Sequence, residues 1–135
     1  MVRRLVIGAA GQLGIELVLS MQSEFGVASV DISDIRVPDN EEVMRSKFLH
    51  LDATDEGALS TILEDGQYDE VYHLAAMLSA TGEKKPLAAW DLNMQSLLNI
   101  LEAAKEGWVK RVFWPSSIAV FAPLTPKYNV PQDAP

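Results

Sequence analysis

The chain has 135 residues, 48% of them apolar and 22% charged, a balance that suits one globular domain and excludes a disordered or fibrous chain. Eleven Lys and Arg against nineteen Asp and Glu leave a net charge of −8, so the molecule lacks the cationic field that draws nucleic acid or acidic lipid. Without cysteine there is no disulfide framework, thiolate metal site or thiol nucleophile, and a reducing, cytoplasmic setting is the expectation. Apolar residues follow Met1-Val2-Arg3-Arg4, but Gln12 and Glu16 interrupt the run a signal peptide needs. No window has the apolar length that crosses a bilayer. A soluble protein with no membrane and no nucleic-acid partner is expected.

In chain order, Leu5-Val6-Ile7 is a short apolar strand ended by Gly8, and Leu13, Leu17, Val18 and Met21 then recur at helical spacing. A second strand reads from about Ser29 to Asp34 and a third around Phe48 to Leu51. A helix follows from about Asp55 to Glu64, with Asp55 placed to cap it. Val71 to Ala75 is the fourth strand. Pro86 to about Glu106 is a long helix with proline at its start and Gly107 past its end, and Arg111 to Trp114 is the fifth strand. On the long helix Trp90, Met94, Leu97, Leu101 and Ala104 form an apolar stripe, with Leu98 widening it, expected to pack on the sheet. Asn93 lies within that predominantly buried helix, where an amide needs partners, and is expected to bridge the helix to a neighbouring strand.

Strands alternating with helices imply parallel pairing, since a parallel neighbour is reached only through a crossover. The predicted fold class is α/β, a doubly wound parallel sheet of the Rossmann type, in strand order 3-2-1-4-5 and truncated after the fifth strand. The ligand crevice then lies at the carboxyl ends between the first and fourth strands. Five of the seven prolines lie between Pro115 and Pro135, which marks residues 116–135 as a proline-rich active-site loop following a domain of residues 1–115. A chain stopping in such a loop reads as the amino-terminal part of something longer.

The sharpest local signal is Gly8-Ala9-Ala10-Gly11-Gln12-Leu13-Gly14, between a strand and a helix. Gly8 permits the tight turn, Gly11 lets backbone approach a pyrophosphate, and Gly14 lets the helix pack closely on the sheet. The phosphates then sit on amides near Gln12 and Leu13, at the positive end of the helix. A dinucleotide also needs a carboxylate for its ribose hydroxyls at the end of the second strand. Asp31 and Asp34 lie seventeen and twenty residues after Gly14; the spacing and the alternation of Val30, Ile32 and Asp34 favour Asp34. For Asp31 a solvated place where the strand begins is expected. The charge of Asp34 favours NAD over NADP, a preference that Arg36 softens. Asp52 and Ala53 occupy either an adenine contact or a helix-capping loop. Ala75 and Ala76 are small enough to let a cofactor lie on the backbone, or are simply small core residues. Ser116 and Ser117 follow the fifth strand, as a crevice hydroxyl or as a turn. His50 and His73 have no second imidazole at ligand spacing, each reads as a satisfied strand residue, and no metal site is expected.

Together these motifs resemble the extended short-chain dehydrogenase/reductase superfamily, which shares the glycine pattern, the "HLAA" after the fourth strand and the Ser-Ser after the fifth. The stretches "AAMLSATGEKKPLAAWDLNMQSLLNIL" and "VFWPSSIAVFAPLTPKYNVPQ", with "GAAGQLG" and "SDIR", are similar to the short-chain type of NAD-dependent L-threonine 3-dehydrogenases. The resemblance implies that Gly8, Gly11, Gln12, Leu13 and Gly14 hold the pyrophosphate, and that Asp34, Ile35 and Arg36 meet the adenosine ribose. It puts Asp52 and Ala53 by adenine and Leu74, Ala75, Ala76 and Asn93 along the cofactor. It implies Ser79, Ser116 and Ser117 as substrate contacts, Ser117 as the catalytic hydroxyl, L-threonine as substrate and a homodimer in the full-length protein. The family's Tyr-x-x-x-Lys is not in these residues: Tyr128 is followed four positions on by Gln132, and the expected tyrosine falls past Pro135. Ala122 also replaces a glycine common after the aromatic residue. Sugar-nucleotide epimerases and dehydratases, and a non-catalytic NAD-binding fragment, are the alternatives.

Overall fold

The computed structural model describes residues 1–77 and 79–117. Five parallel strands, β1 (Arg4–Ile7), β2 (Val30–Asp34), β3 (Lys47–His50), β4 (Tyr68–His73) and β5 (Val109–Phe113), form one sheet in the order β3-β2-β1-β4-β5. The chain steps outward from β1 to β3 and then returns to the other side of β1, so the winding reverses between β1 and β4. Ile7 is in register with Ser33 on one side and His73 on the other, which aligns three strand ends around that reversal.

Helix α1 (Gln12–Phe25) covers one face and α2 (Glu56–Gly66) the other. The alternation of β1 decides this division. Val6 points into a cluster with Val18, Met21 and Ile32 beneath α1, while Leu5 and Ile7 join Leu59, Leu63 and Val71 on the opposite face. Asp55 caps α2 as expected, accepting from the Ala58 amide at 3.0 Å. After β4 come a four-residue helix, α3 (Ser79–Gly82), and a long helix in three parts. These are α4 (Pro86–Trp90), a π turn (Asp91–Gln95) and α5 (Ser96–Lys105).

Two expectations shift. β4 runs from Tyr68 to His73 and ends before Leu74 and Ala75. Its polar start disguised it: Glu70 is buried against Arg4 at 2.9 Å, and the Tyr68 hydroxyl donates to Asp31 at 2.8 Å. Paired charges and satisfied hydroxyls let polar residues enter a buried strand that hydrophobicity alone would start later. The apolar stripe of the long helix holds only in part, at Leu97 and at Ala104, which packs against the core. Ser96, Leu97, Ile100 and Ala103 are the buried residues of α5, whereas Trp90, Leu98 and Leu101 are exposed. A π turn accommodates an extra residue, which rotates what precedes it, Trp90 included, by about 100° relative to an unbroken helix.

Candidate active site

An open cleft of about 420 Å³ lies over the carboxyl ends of the strands, where the winding reverses. Gly8 and Gly11 line it together with the ends of β2, β3 and β4. The three glycines divide by what holds them. Gly8 has φ +91°, and a Cβ there would lie 2.6 Å from the Ala75 amide nitrogen; a Cβ on Gly14 would lie 2.2 Å from the Gly8 carbonyl oxygen. Both positions are imposed by the fold. At Gly11 a Cβ would meet only the Gly8 carbonyl oxygen, at 3.4 Å, an ordinary contact. Packing therefore does not require glycine at 11, and the space it leaves faces the cleft.

Gly11 begins α1 without a side-chain cap, and the first turn has no acidic residue. The amides of Gln12, Leu13 and Gly14 have no carbonyl within the helix to receive them, so this end carries partial positive charge and donors for an anion. Gln12 and Leu13 are exposed. The arrangement fits a pyrophosphate.

Asp34 ends β2 at the cleft, half-buried. Its Oδ2 accepts from the Ala10 amide and its Oδ1 from the Arg36 amide, each at 2.9 Å, so one carboxylate ties the glycine loop to the exit of β2. Ile35 and Arg36 line the same end. Asp31 does not have the solvated place expected of it: it is buried, accepting from Tyr68 at 2.8 Å and from Arg3 at 3.1 Å. Burial and this carboxylate push the Tyr68 hydroxyl pKa well up.

Asp52, Ala53 and Thr54 line the cleft beyond β3. Asp52 Oδ1 accepts from the Thr54 hydroxyl at 2.7 Å and its amide at 2.9 Å, and these bonds hold the Asp52 carboxyl below its usual pKa. The residue that caps α2 is Asp55, whose amide donates to the Asp52 carbonyl at 3.0 Å. On the opposite bank Leu74, Ala75, Ala76 and Met77 line the cleft, faced by Ala88 and Leu92 of the long helix. Asn93 makes the expected bridge, with Oδ1 accepting from the Met77 amide at 2.7 Å and Nδ2 donating to the Met77 carbonyl at 3.1 Å. Asn93 itself is not among the residues that line the cleft.

Ser116 and Ser117 are exposed past the end of β5 and do not line this cleft. The side chain of Ser79 and residues 118–135 lie outside the described residues. Among the described residues no cluster of metal-binding side chains occurs and no helix is long and apolar enough to cross a membrane. Thr54, Met77, Ala88 and Leu92 escaped the sequence reading because nothing in their residue type separates a cleft wall from a core.

The model of the NAD dependent epimerase/dehydratase family matches residues 4–135. An uncharacterized epimerase/dehydratase of Staphylococcus saprophyticus is 44% identical over 129 residues, which are 95% of this chain and 40% of that protein. A solved L-threonine dehydrogenase of Cupriavidus necator, in its holo form, is 46% identical with a TM-score of 0.88, over 98% of this chain and 43% of that one. The L-threonine dehydrogenase of Clostridium difficile is 42% identical with a TM-score of 0.87, over 98% and 42%. The chain thus spans about 40% of the length of the curated relatives it matches.

Proposed function

The chain belongs to the NAD dependent epimerase/dehydratase family, whose cofactor is NAD, and from that premise we propose that it is the cofactor-binding part of an L-threonine 3-dehydrogenase. The observation that carries this reading is likeness along nearly the whole chain to solved L-threonine dehydrogenases, at 46% and 42% identity. The segments "LSA" and "WPSSIAVF" support it as well.

In this reading the amides at the start of α1 receive the pyrophosphate beside Gly11, and Asp34 accepts from the adenosine ribose hydroxyls with Ile35 and Arg36 alongside. Asp52 and Ala53 flank adenine, and residues 74–77 form the floor under the rest of the cofactor. NAD supplies the hydride acceptor when bound. Ser79 contacts the amino acid, Ser116 supports it, and Ser117 holds the β-hydroxyl oxygen while a base outside the present residues takes its proton, giving 2-amino-3-ketobutyrate. The carboxylate of Asp34 repels a 2′-phosphate, which favours NAD over NADP. The exposed apolar residues Leu87, Trp90, Leu98 and Leu101 of the long helix support a homodimer of the full-length protein.

The intact protein is expected to reduce NAD with L-threonine and not to turn over UDP-sugars, measured by absorbance of the reduced cofactor and by sugar analysis. The curated relatives described as epimerase/dehydratase support the second reading, a sugar-nucleotide enzyme, and the reverse preference would establish it.

A further inference from the structure

Where α5 meets the end of β4, a polar pair lies in the buried interface. Leu97, Ile100 and Ala103 are the apolar residues that α5 buries, and beside them Ser96 is fully buried against His73, the last residue of β4 and itself buried. His73 Nε2 lies 2.7 Å from the Ser96 hydroxyl, which donates to the Leu92 carbonyl. A hydroxyl has one hydrogen and a carbonyl only accepts, so Nε2 carries a proton and donates to Ser96. Nδ1 is left as a lone pair with no partner among the described residues. The next proton taken up goes to Nδ1, and it would put a charge in the interior with one of its two N–H groups unmatched.

Nothing charged offsets that cost. On the elements around His73, Glu56, Glu64 and Asp65 of α2 and Asp91, Glu102 and Lys105 of the long helix are exposed. Arg4 of β1 and Arg111 of β5 pair with Glu70 of β4, and Lys110 of β5 pairs with Asp69. The hydroxyls of Tyr68 and Tyr72 donate to Asp31 and Glu70. Burial is accordingly the sole cause that lowers the His73 pKa from 6.5 to about 4.

The two sides of the pair are not equally free to part. β4 lies between β1 and β5 and is bonded through its backbone on both edges, whereas no backbone hydrogen bond among the described residues joins the long helix to a strand. The helix is the side that gives, and Ala88 and Leu92, which it contributes to the cleft, move with it.

We propose that His73 and Ser96 form a proton-operated clamp, which holds the long helix against β4 while the imidazole is neutral and releases it, opening the cleft wall at Ala88 and Leu92, when Nδ1 takes up a proton. An apolar pair of the same size would hold the helix equally at every pH. This pair holds it fully above pH 6.5 and progressively less as pH falls toward 4, because release returns the imidazole to its ordinary proton affinity.

The test measures hydrogen exchange in the intact protein at pH 7 and pH 5, corrected for the intrinsic pH dependence of exchange. The opening constant of the α5 amides is expected to rise about twentyfold between the two, and that of the α1 amides less than about twofold. His73→Gln keeps an N–H donor for Ser96 and does not titrate, so its α5 amides should change less than about threefold. The nitrogen spectrum of the His73 imidazole at pH 7 should show the proton on Nε2 and none on Nδ1. An equal rise in α1 would mean acid unfolding of the whole fold and overturn the clamp, as would the full rise in His73→Gln or a proton on Nδ1 at pH 7. The comparison of α5 with α1 and the imidazole spectrum need no variant, so they decide the matter even where His73→Gln does not fold.

Discussion

On the bank between β1 and β2 the cleft is walled by backbone: a glycine loop, the uncapped start of α1, and one carboxylate that links the loop to the neighbouring strand end. On the bank between β4 and the long helix the wall is a stretch of small residues held from behind by Asn93, and by His73 through Ser96. The first bank is made by residues 8–14 and 34–36, and no side chain of the long helix takes part in the bonds that tie it together. The second depends on a helix that begins after the floor has been laid and on an irregular turn within it. Recognition geometry built from backbone tolerates few residue types, whereas geometry built from side chains reaching across the fold depends on each reaching side chain.

The largest effects separate the glycines. Gly14→Ala is expected to cost about 3 kcal/mol or more of stability in chemical denaturation, because its Cβ would overlap the Gly8 carbonyl oxygen. Gly11→Val is expected to leave the melting temperature nearly unchanged and to abolish NAD binding in calorimetry. If Gly11→Val unfolds the chain instead, the backbone bank is only a structural turn.

The two aspartates of β2 sharpen the same point. Asp34→Ala is expected to weaken NAD binding by about 2–4 kcal/mol, for two charge-assisted bonds partly replaced by water, and to loosen the Ala10 amide in hydrogen exchange. Asp31→Ala should spare NAD affinity and cost about 1–3 kcal/mol of stability, since it leaves the buried Tyr68 hydroxyl without its acceptor. Equal losses of affinity at the two positions would misplace the ribose site.

The side-chain bank has its own signature in pH. Burial pulls the His73 pKa from 6.5 down to about 4, because the interior does not solvate a charged imidazole. The unfolded chain therefore binds the proton first: stability is fully present above pH 6.5 and is lost as pH falls through 4, by at most about 3 kcal/mol. Urea titrations between pH 4 and 7 check this, and His73→Leu should flatten that part of the profile.

The smallest effect concerns the phase of the long helix. Trp90→Gln is expected to change the stability of these residues by less than about 0.5 kcal/mol, against about 2–5 for Leu97→Ala. A large loss at Trp90 would mean that it packs inward and that the π turn is misplaced.

Sheet order, parallel pairing, the crowded places of Gly8 and Gly14 and the position of Asp34 at the cleft end of β2 were all legible in the sequence. They follow from hydrophobic period, crossover handedness and the exclusion of a Cβ, which are local or depend on chain order alone. The start of β4, the burial of Asp31 and the face of the long helix were decided by the tertiary structure. Tyr68, Glu70 and Asp31 look like surface residues until Arg3 and Arg4 are beside them, because a polar group is admitted to the interior only with its partner. The π turn has the same cause. No residue from Asp91 to Gln95 is a helix breaker, and the turn appears where Asn93 meets Met77 and Ser96 meets His73, contacts that exist only once β4 and the long helix are packed together.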